Sequence, residues 1–190
     1  MTASASRSRW SQTARRIRVP MGFAFAVFFL WLAAPTVLFL GLSLLLVVPG
    51  LLLRGYASGY VQKNAELTTT GPYGYTRNPL YLGSMLIAFG FALGARSLWI
   101  AVALAVLFAV IYIPVIRSEE EYLRSAFSGF DAYAARVPRL LPRLATARGA
   151  NAAPGSFSSQ LYRKHREYQA LLGALSMYAA LILKLILLRK

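Results

Sequence analysis

The spacing of charged residues along the chain predicts its elements. No charge occurs in the 35 residues between Arg18 and Arg54, the 18 between Arg77 and Arg96, the 20 between Arg96 and Arg117, or the 16 between Glu167 and Lys184. A helix that crosses a membrane needs about 20 mainly apolar residues. The second and third gaps each supply one, over 79–95 and 97–116. The last reaches span length, over 168–188, once Lys184 snorkels toward the interface. The first gap is too long. As a single helix it extends roughly 52 Å, against a hydrocarbon core of about 30 Å. Pro35, near its middle, lacks an N–H and clashes with the preceding turn. Two short spans, about 20–34 and 36–54, with a tight hairpin at Pro35, are therefore predicted. One tilted span with an interfacial extension is the rival reading. The fold expected is all-α: a polytopic integral membrane bundle of about five transmembrane helices in a single domain over 20–190, with 1–19 disordered or interfacial.

Between the spans lie two polar segments that predict a helical cap on the bundle. The first, 55–79, is marked by turn residues from Gly55 to Pro79. The second, 117–166, opens with apolar residues at helical spacing (Val115, Tyr122, Leu123, Ala126, Phe127, Phe130), so span four is expected to leave the membrane as a continuous helix to about 134. Pro138 and Pro142 end it, and 145–160 reads as a flexible linker rich in Ala, Ser and Gly.

Composition sharpens this picture. Hydrophobic residues make up 57% of the chain and charged residues 14%, whereas soluble domains average about 45–50% and about 25%. Disorder is excluded for most of the chain. The absence of cysteine excludes a disulfide scaffold, a thiolate metal site and a cysteine nucleophile. The single histidine, His165, excludes a multi-histidine metal site.

The net charge of +15 invites a nucleic-acid reading, but topology accounts for it. With the amino end in the cytoplasm, 17 of the 21 basic residues fall inside and only Arg96, Lys184, Arg189 and Lys190 outside, as the positive-inside rule requires. The partners expected are membrane lipids, with no nucleic acid; nothing in the sequence bears on oligomeric state. The amino end reads as a retained anchor, because the apolar run continues well past a signal-peptide core. Arginine in excess of lysine, with no cysteine, points to a bacterial inner membrane.

Two segments carry candidate chemistry. The first, 71-GPYGYTRNPLYLGS-84, packs glycines, prolines, tyrosines and an arginine into the entrance of span three. Pro79 suits the first turn of a helix, whose unpaired N–H groups favour an anion. Arg77 offers a bidentate anion partner, and Tyr73, Tyr75 and Tyr81 offer faces for a base or a cation. An interfacial tyrosine belt with a Gly/Pro turn explains the same residues. The second segment, 117-RSEEEYL-123, leads to Phe127, Phe130, Tyr133 and 137-VPRLLP-142. On a helix Glu120 pairs with Arg117 and Arg124, and Glu121 with Arg117. At most two of the three glutamates face one pocket, because neighbours point about 100° apart. A charged juxtamembrane helix is the simpler reading.

Together the two segments resemble the membrane superfamily of isoprenylcysteine carboxyl methyltransferases and phospholipid N-methyltransferases. The resemblance rests on Gly71, Tyr73, Arg77-Asn78-Pro79, Tyr81 and Gly83, then, one hairpin of spans later, Arg117, Glu119-Glu120, Leu123, the aromatic run and Val137-Pro138-Arg139. It covers about 60–145. Asn78 stands where the family usually has histidine. The resemblance implies S-adenosylmethionine as methyl donor and a lipid or lipidated acceptor, either a prenylated small molecule or a peptide. It implies cofactor contacts from Gly71, Tyr73, Arg77, Asn78, Pro79, Tyr81, Gly83, Glu119, Glu120, Tyr133 and Arg139. It further implies catalytic roles for Arg117, holding a carboxylate acceptor, and Glu120, serving as base for an amine acceptor. Carboxylate O-methylation of the isoprenylcysteine type is preferred, with phospholipid amine N-methylation close behind. The alternatives are a non-catalytic membrane scaffold and an NADPH-dependent membrane reductase.

Overall fold

A computed structural model describes residues 26–62, 66–145 and 156–188. The predicted segment 1–19 lies outside the described residues, as do the first residues of the span predicted from 20. The described residues form helices and turns, with no strand among them. Helix α1 covers 26–32, α2 Val37–Ser58, α3 Pro79–Ala95, α4 Leu98–Ala126, α5 Phe130–Arg136, α6 Ser159–Lys164 and α7 Tyr168–Leu188, with a 3-10 turn at Gly71–Gly74. The molecule is a helical membrane bundle. Helices α2, α4 and α7 are long and apolar enough to cross a membrane, and α3 is a shorter apolar helix of 17 residues. Only 11% of the apolar windows of α4 and α7 is buried inside the protein. Their outward Leu, Val, Ile and Trp side chains thus need lipid as solvent.

Residues 33–36 are non-helical, and Thr36 caps α2 through its hydroxyl. Helices α2 and α3 form the closest pair. A Cβ on Gly83 would stand 2.8 Å from the Gly50 carbonyl, and one on Gly90 2.6 Å from Val47. Without those side chains the backbones approach closely, the common device of helices that meet in lipid. Helix α7 is held differently. Tyr178 shares a 2.7 Å hydrogen bond with Ser43 of α2. Lys184 donates to the Leu30 and Trp31 carbonyls at the end of α1, which satisfies helix-end groups as well as the ammonium.

Helix α4 contains a π turn at Phe108–Tyr112, just before Pro114. Proline removes one helical donor and crowds the preceding turn, and a wider turn absorbs both. The helix does not continue to 134. It stops at Ala126, Phe127 is extended, and α5 begins after Gly129. The reversal lets Phe130, Tyr133 and Val137 gather with Leu67 and Leu123 into a separate small core. That burial outweighs the helical spacing of the same aromatics. The last polar segment returns to the end of α2 where the Ser158 N–H bonds the Gly59 carbonyl at 2.9 Å.

Candidate active site at the polar end of the bundle

The site begins with which side chains α4 turns inward. Ile116, Glu120 and Leu123 follow one another at i, i+4 and i+7, the spacing of a single helical face. Ile116 and Glu120 are buried, and Arg117, Glu119 and Glu121 are exposed. Glu120 is thus a carboxylate only 4% exposed, just where α4 leaves the apolar region. An acid in that position requires partners.

Two separate segments supply them. Arg139 donates to Oε2 of Glu120 through Nε at 3.0 Å and Nη2 at 2.8 Å. Arg77 approaches Oε1 through Nη1 at 3.4 Å, and Asn78 donates to the same oxygen at 3.4 Å. Asn78 Nδ2 also donates to the Arg139 carbonyl at 2.9 Å. The segments are laced together by their backbones. Arg77 N–H bonds the Pro138 carbonyl at 2.9 Å, Arg143 N–H bonds the Tyr75 carbonyl at 3.0 Å, and the Thr76 hydroxyl donates to the Leu140 carbonyl at 3.0 Å. Asn78 therefore does donor work that orients Arg139 toward Glu120. Two guanidinium groups against one carboxylate leave the cluster one positive charge in excess. Arg77 Nε is sealed from solvent with no hydrogen-bond partner among the described residues, a deficit that an anion would relieve.

Flanking groups frame this cluster. Pro79 opens α3 at its first turn. Tyr81 donates to Glu119 at 3.0 Å and meets Tyr112 edge-on with centroids 5.6 Å apart. The Tyr133 hydroxyl donates to the Tyr73 carbonyl at 2.8 Å. Burial pushes the phenols of both Tyr73 and Tyr133 up, so both stay protonated. Hydrogen bonding to Glu120 raises Arg139 further, which fixes its charge. Gly71 has φ +58 with the Tyr60 ring 2.6 Å from where a Cβ would sit, so only glycine fits.

Two of the expected site residues lie elsewhere. Arg117 is exposed and makes no ion pair among the described residues, so the helix-local pairing with Glu120 and Glu121 is not formed. Glu120 faces inward, and closer geometry from Arg77 and Arg139 takes both its oxygens. Gly83 faces α2, against the Gly50 carbonyl and the Arg54 stem.

The structure adds a second charged group that sequence reasoning missed. Arg54 Nε meets Glu167 Oε1 at 2.5 Å, and its Nη1 donates to Ser84 and, at 3.4 Å, to the Leu80 carbonyl. The signal was present: Arg54 ends the longest charge-free stretch, and Glu167 is the lone acid after Asp131. Beyond it, between 60–70 and 156–164, lies a polar cavity of about 440 Å³ lined by Tyr60, Gln62, Glu66 and Lys164 among others.

Residues 37–129 match the phospholipid methyltransferase family model. The match contains both Arg77–Ser84 and Arg117–Leu123, and it ends short of Tyr133 and Arg139. The cobalt-zinc-cadmium resistance protein CzcN of Cupriavidus metallidurans is 44% identical over 94 residues, which is 50% of this chain and 43% of that protein. The nickel-cobalt-cadmium resistance protein NccN of Alcaligenes xylosoxydans xylosoxydans is 44% identical over 89 residues, 47% of this chain and 41% of that protein. The chain thus matches less than half the length of either relative. No solved structure matches it. Over residues 37–129 the chain is thus similar to the phospholipid methyltransferases, a family in the superfamily of membrane methyltransferases shared with the isoprenylcysteine carboxyl methyltransferases.

Proposed function

We propose that this protein is an S-adenosylmethionine-dependent methyltransferase that acts on a lipid or lipidated acceptor at the cytoplasmic face of a bacterial inner membrane, with its amino end in the cytoplasm. The observation that carries the reading is the buried Glu120, on which Arg77, Asn78 and Arg139 converge from both family segments. The cofactor supplies an electrophilic methyl group on a sulfonium.

The residues fit the rest of that molecule. The surplus positive charge of the Glu120 cluster suits its carboxylate. Arg139, with its side chain 48% exposed, is the approachable member. Glu119, exposed and oriented by Tyr81, suits the ammonium or the ribose hydroxyls. The faces of Tyr73 and Tyr81 suit the adenine or the sulfonium. Glu120 acts in this reading as the organiser of two arginines, because both its oxygens are occupied. Removal of a proton from an amine acceptor falls to the more accessible Glu119. A carboxylate acceptor needs no base, and alignment and exclusion of water supply the catalysis.

The family match favours a phospholipid acceptor over the isoprenylcysteine type. The relatives' names, which speak of cobalt, zinc, cadmium and nickel resistance, support a link between such a modification and metal resistance. The test is transfer of tritiated methyl from S-adenosylmethionine into the organic phase, using membrane lipid extract and purified protein. Label in a lipid fraction that Glu120→Ala abolishes supports the reading. A well-folded protein that transfers no label to any fraction contradicts it, and leaves the non-catalytic scaffold.

A further inference from the structure

The Arg54–Glu167 pair has no part in the cluster just described, yet it is among the costliest features of the bundle. Arg54 lies one turn from the end of α2, within a helix apolar enough to cross the membrane. Ionisable groups at the end of a span that pair with one another are candidates for function. Helix α3 and the turn before α7 seat it. Gly83 leaves room for its stem, since a Cβ there would stand 2.6 Å from Arg54 Cγ. The next residue, Ser84, accepts from its guanidinium. The Gly83-Ser84 end of the first family segment thus serves to hold this arginine against α3. Glu167 arrives from the turn before α7, where Arg166 adopts a left-handed φ of +53, a conformation uncommon outside glycine and asparagine.

The pair is not closed. Arg54 Nη2 and Glu167 Oε2 have no partners among the described residues, and neither is a sealed, unsatisfied atom. The arginine is the more accessible member, with its side chain 25% exposed against 9% for the glutamate. An incoming group therefore meets a cation first. The buried Tyr73 ring lies within the electrostatic reach of Arg54 and Glu167 and also of Glu119. The pair thus borders the same end of α3 as the Glu120 cluster.

We propose that Arg54 anchors the anionic oxygens of the acceptor's head group, a lipid phosphodiester or a carboxylate, with Glu167 as the resident carboxylate that the ligand displaces. The assignment rests on the methyltransferase reading, since it gives the donor and acceptor separate charged groups at the start of α3. Arg54 is a binding residue here and Glu167 a positioning residue that tunes it.

Native mass spectrometry of the full chain in a neutral detergent tests this. The probes are dioleoylphosphatidylglycerol, oleate and uncharged diolein. The wild type is expected to retain one molecule of one anionic probe at roughly tenfold lower concentration than diolein. Preference for phosphatidylglycerol identifies a phosphodiester, and preference for oleate a carboxylate. Arg54→Gln should abolish the preference, while Glu167→Gln should strengthen it by freeing the guanidinium. That opposite sign cannot come from misfolding. A purely structural ion pair would weaken in both variants. An Arg163→Gln/Lys164→Gln control on exposed α6 should leave the preference intact. Equal retention of diolein, an unchanged Arg54→Gln, a weakened Glu167→Gln or a loss in the α6 control would each overturn the proposal. S-adenosylmethionine binding, measured on the same samples, separates the two readings. Donor binding lost with lipid preference intact sinks the methyltransferase and leaves the anchor. Donor binding intact with no lipid preference does the reverse.

Discussion

Two buried carboxylates sit at the polar end of this bundle, and they are compensated differently. Glu120 meets two guanidinium groups and an amide, all from segments distant in sequence, and its cluster carries a surplus positive charge. Glu167 meets one guanidinium, and that pair is neutral. In the first, the acid gathers the cations and fixes the loop segments 75–78 and 137–143 on each other. In the second, the arginine gathers the partners and joins α2, α3 and α7. Burying each carboxylate is tolerable because it is paired with a guanidinium, although Arg139 and Arg54 themselves stay partly exposed. What differs is which charge is left over to meet a ligand.

The largest effect expected is from removing Glu120. Glu120→Ala leaves two arginines facing each other, and breaking a buried pair in this way costs about 3–5 kcal/mol. Thermal unfolding in detergent should show that loss. Glu167→Ala should cost less, about 1–3 kcal/mol, because Arg54 keeps Ser84 and the Leu80 carbonyl. Equal losses in the two variants would erase the distinction drawn between them.

Asn78 sharpens the contrast further. Asn78→Ala removes the donor to the Arg139 carbonyl and should cost about 1 kcal/mol, together with a larger loss in donor affinity. Asn78→His restores a ring N–H where the superfamily usually carries one, and should recover most of both. A histidine variant as weak as the alanine would show that the asparagine is not filling the histidine's role.

A smaller effect concerns pH. Burial raises the Tyr73 and Tyr133 phenols above the ordinary value near 10. The unfolded chain releases those protons first, so their contribution is complete below about pH 10 and is lost as pH climbs above it. Melting temperatures should be flat from about pH 7 to 9 as far as these groups are concerned, and Tyr133→Phe should shrink the fall seen at higher pH. Least of all should come from Arg117→Gln. That side chain is exposed and has no ion pair among the described residues, so stability should move by no more than about 0.5 kcal/mol. A rise in acceptor KM without loss of donor binding would show that it meets the acceptor.

Much of the bundle was legible as gaps between charges, because lipid tolerates few of them and the apolar stretches of α2, α3, α4 and α7 coincide with helices. The division after Ala126 was not. Phe127 and Phe130 keep a helical spacing, and only the small core that Phe130 forms with Leu67, Leu123, Tyr133 and Val137 shows why the chain turns there. Site partners were legible in type but not in pairing. Local helix rules pair Glu120 with Arg117, three residues away. Arg77 and Arg139 lie 43 and 19 positions from it, brought in by a backbone lattice that no local pattern encodes. Arg54 and Glu167 were missed for the same reason, being 113 positions apart. Gly83 was read as a cofactor contact because its motif suggested one, and its neighbours here are the Gly50 carbonyl and the Arg54 stem.

The central claim is that the Glu120 cluster forms part of a donor site. Calorimetric binding of S-adenosylmethionine to the purified protein in detergent tests it most directly, with Glu120→Gln measured in parallel. That variant keeps the shape of the side chain and removes the charge that holds Arg77 and Arg139. The account predicts saturable micromolar binding by the wild type and a loss of roughly tenfold or more in the variant. A folded wild type that binds no S-adenosylmethionine, or a variant that binds as tightly as the wild type, would contradict it.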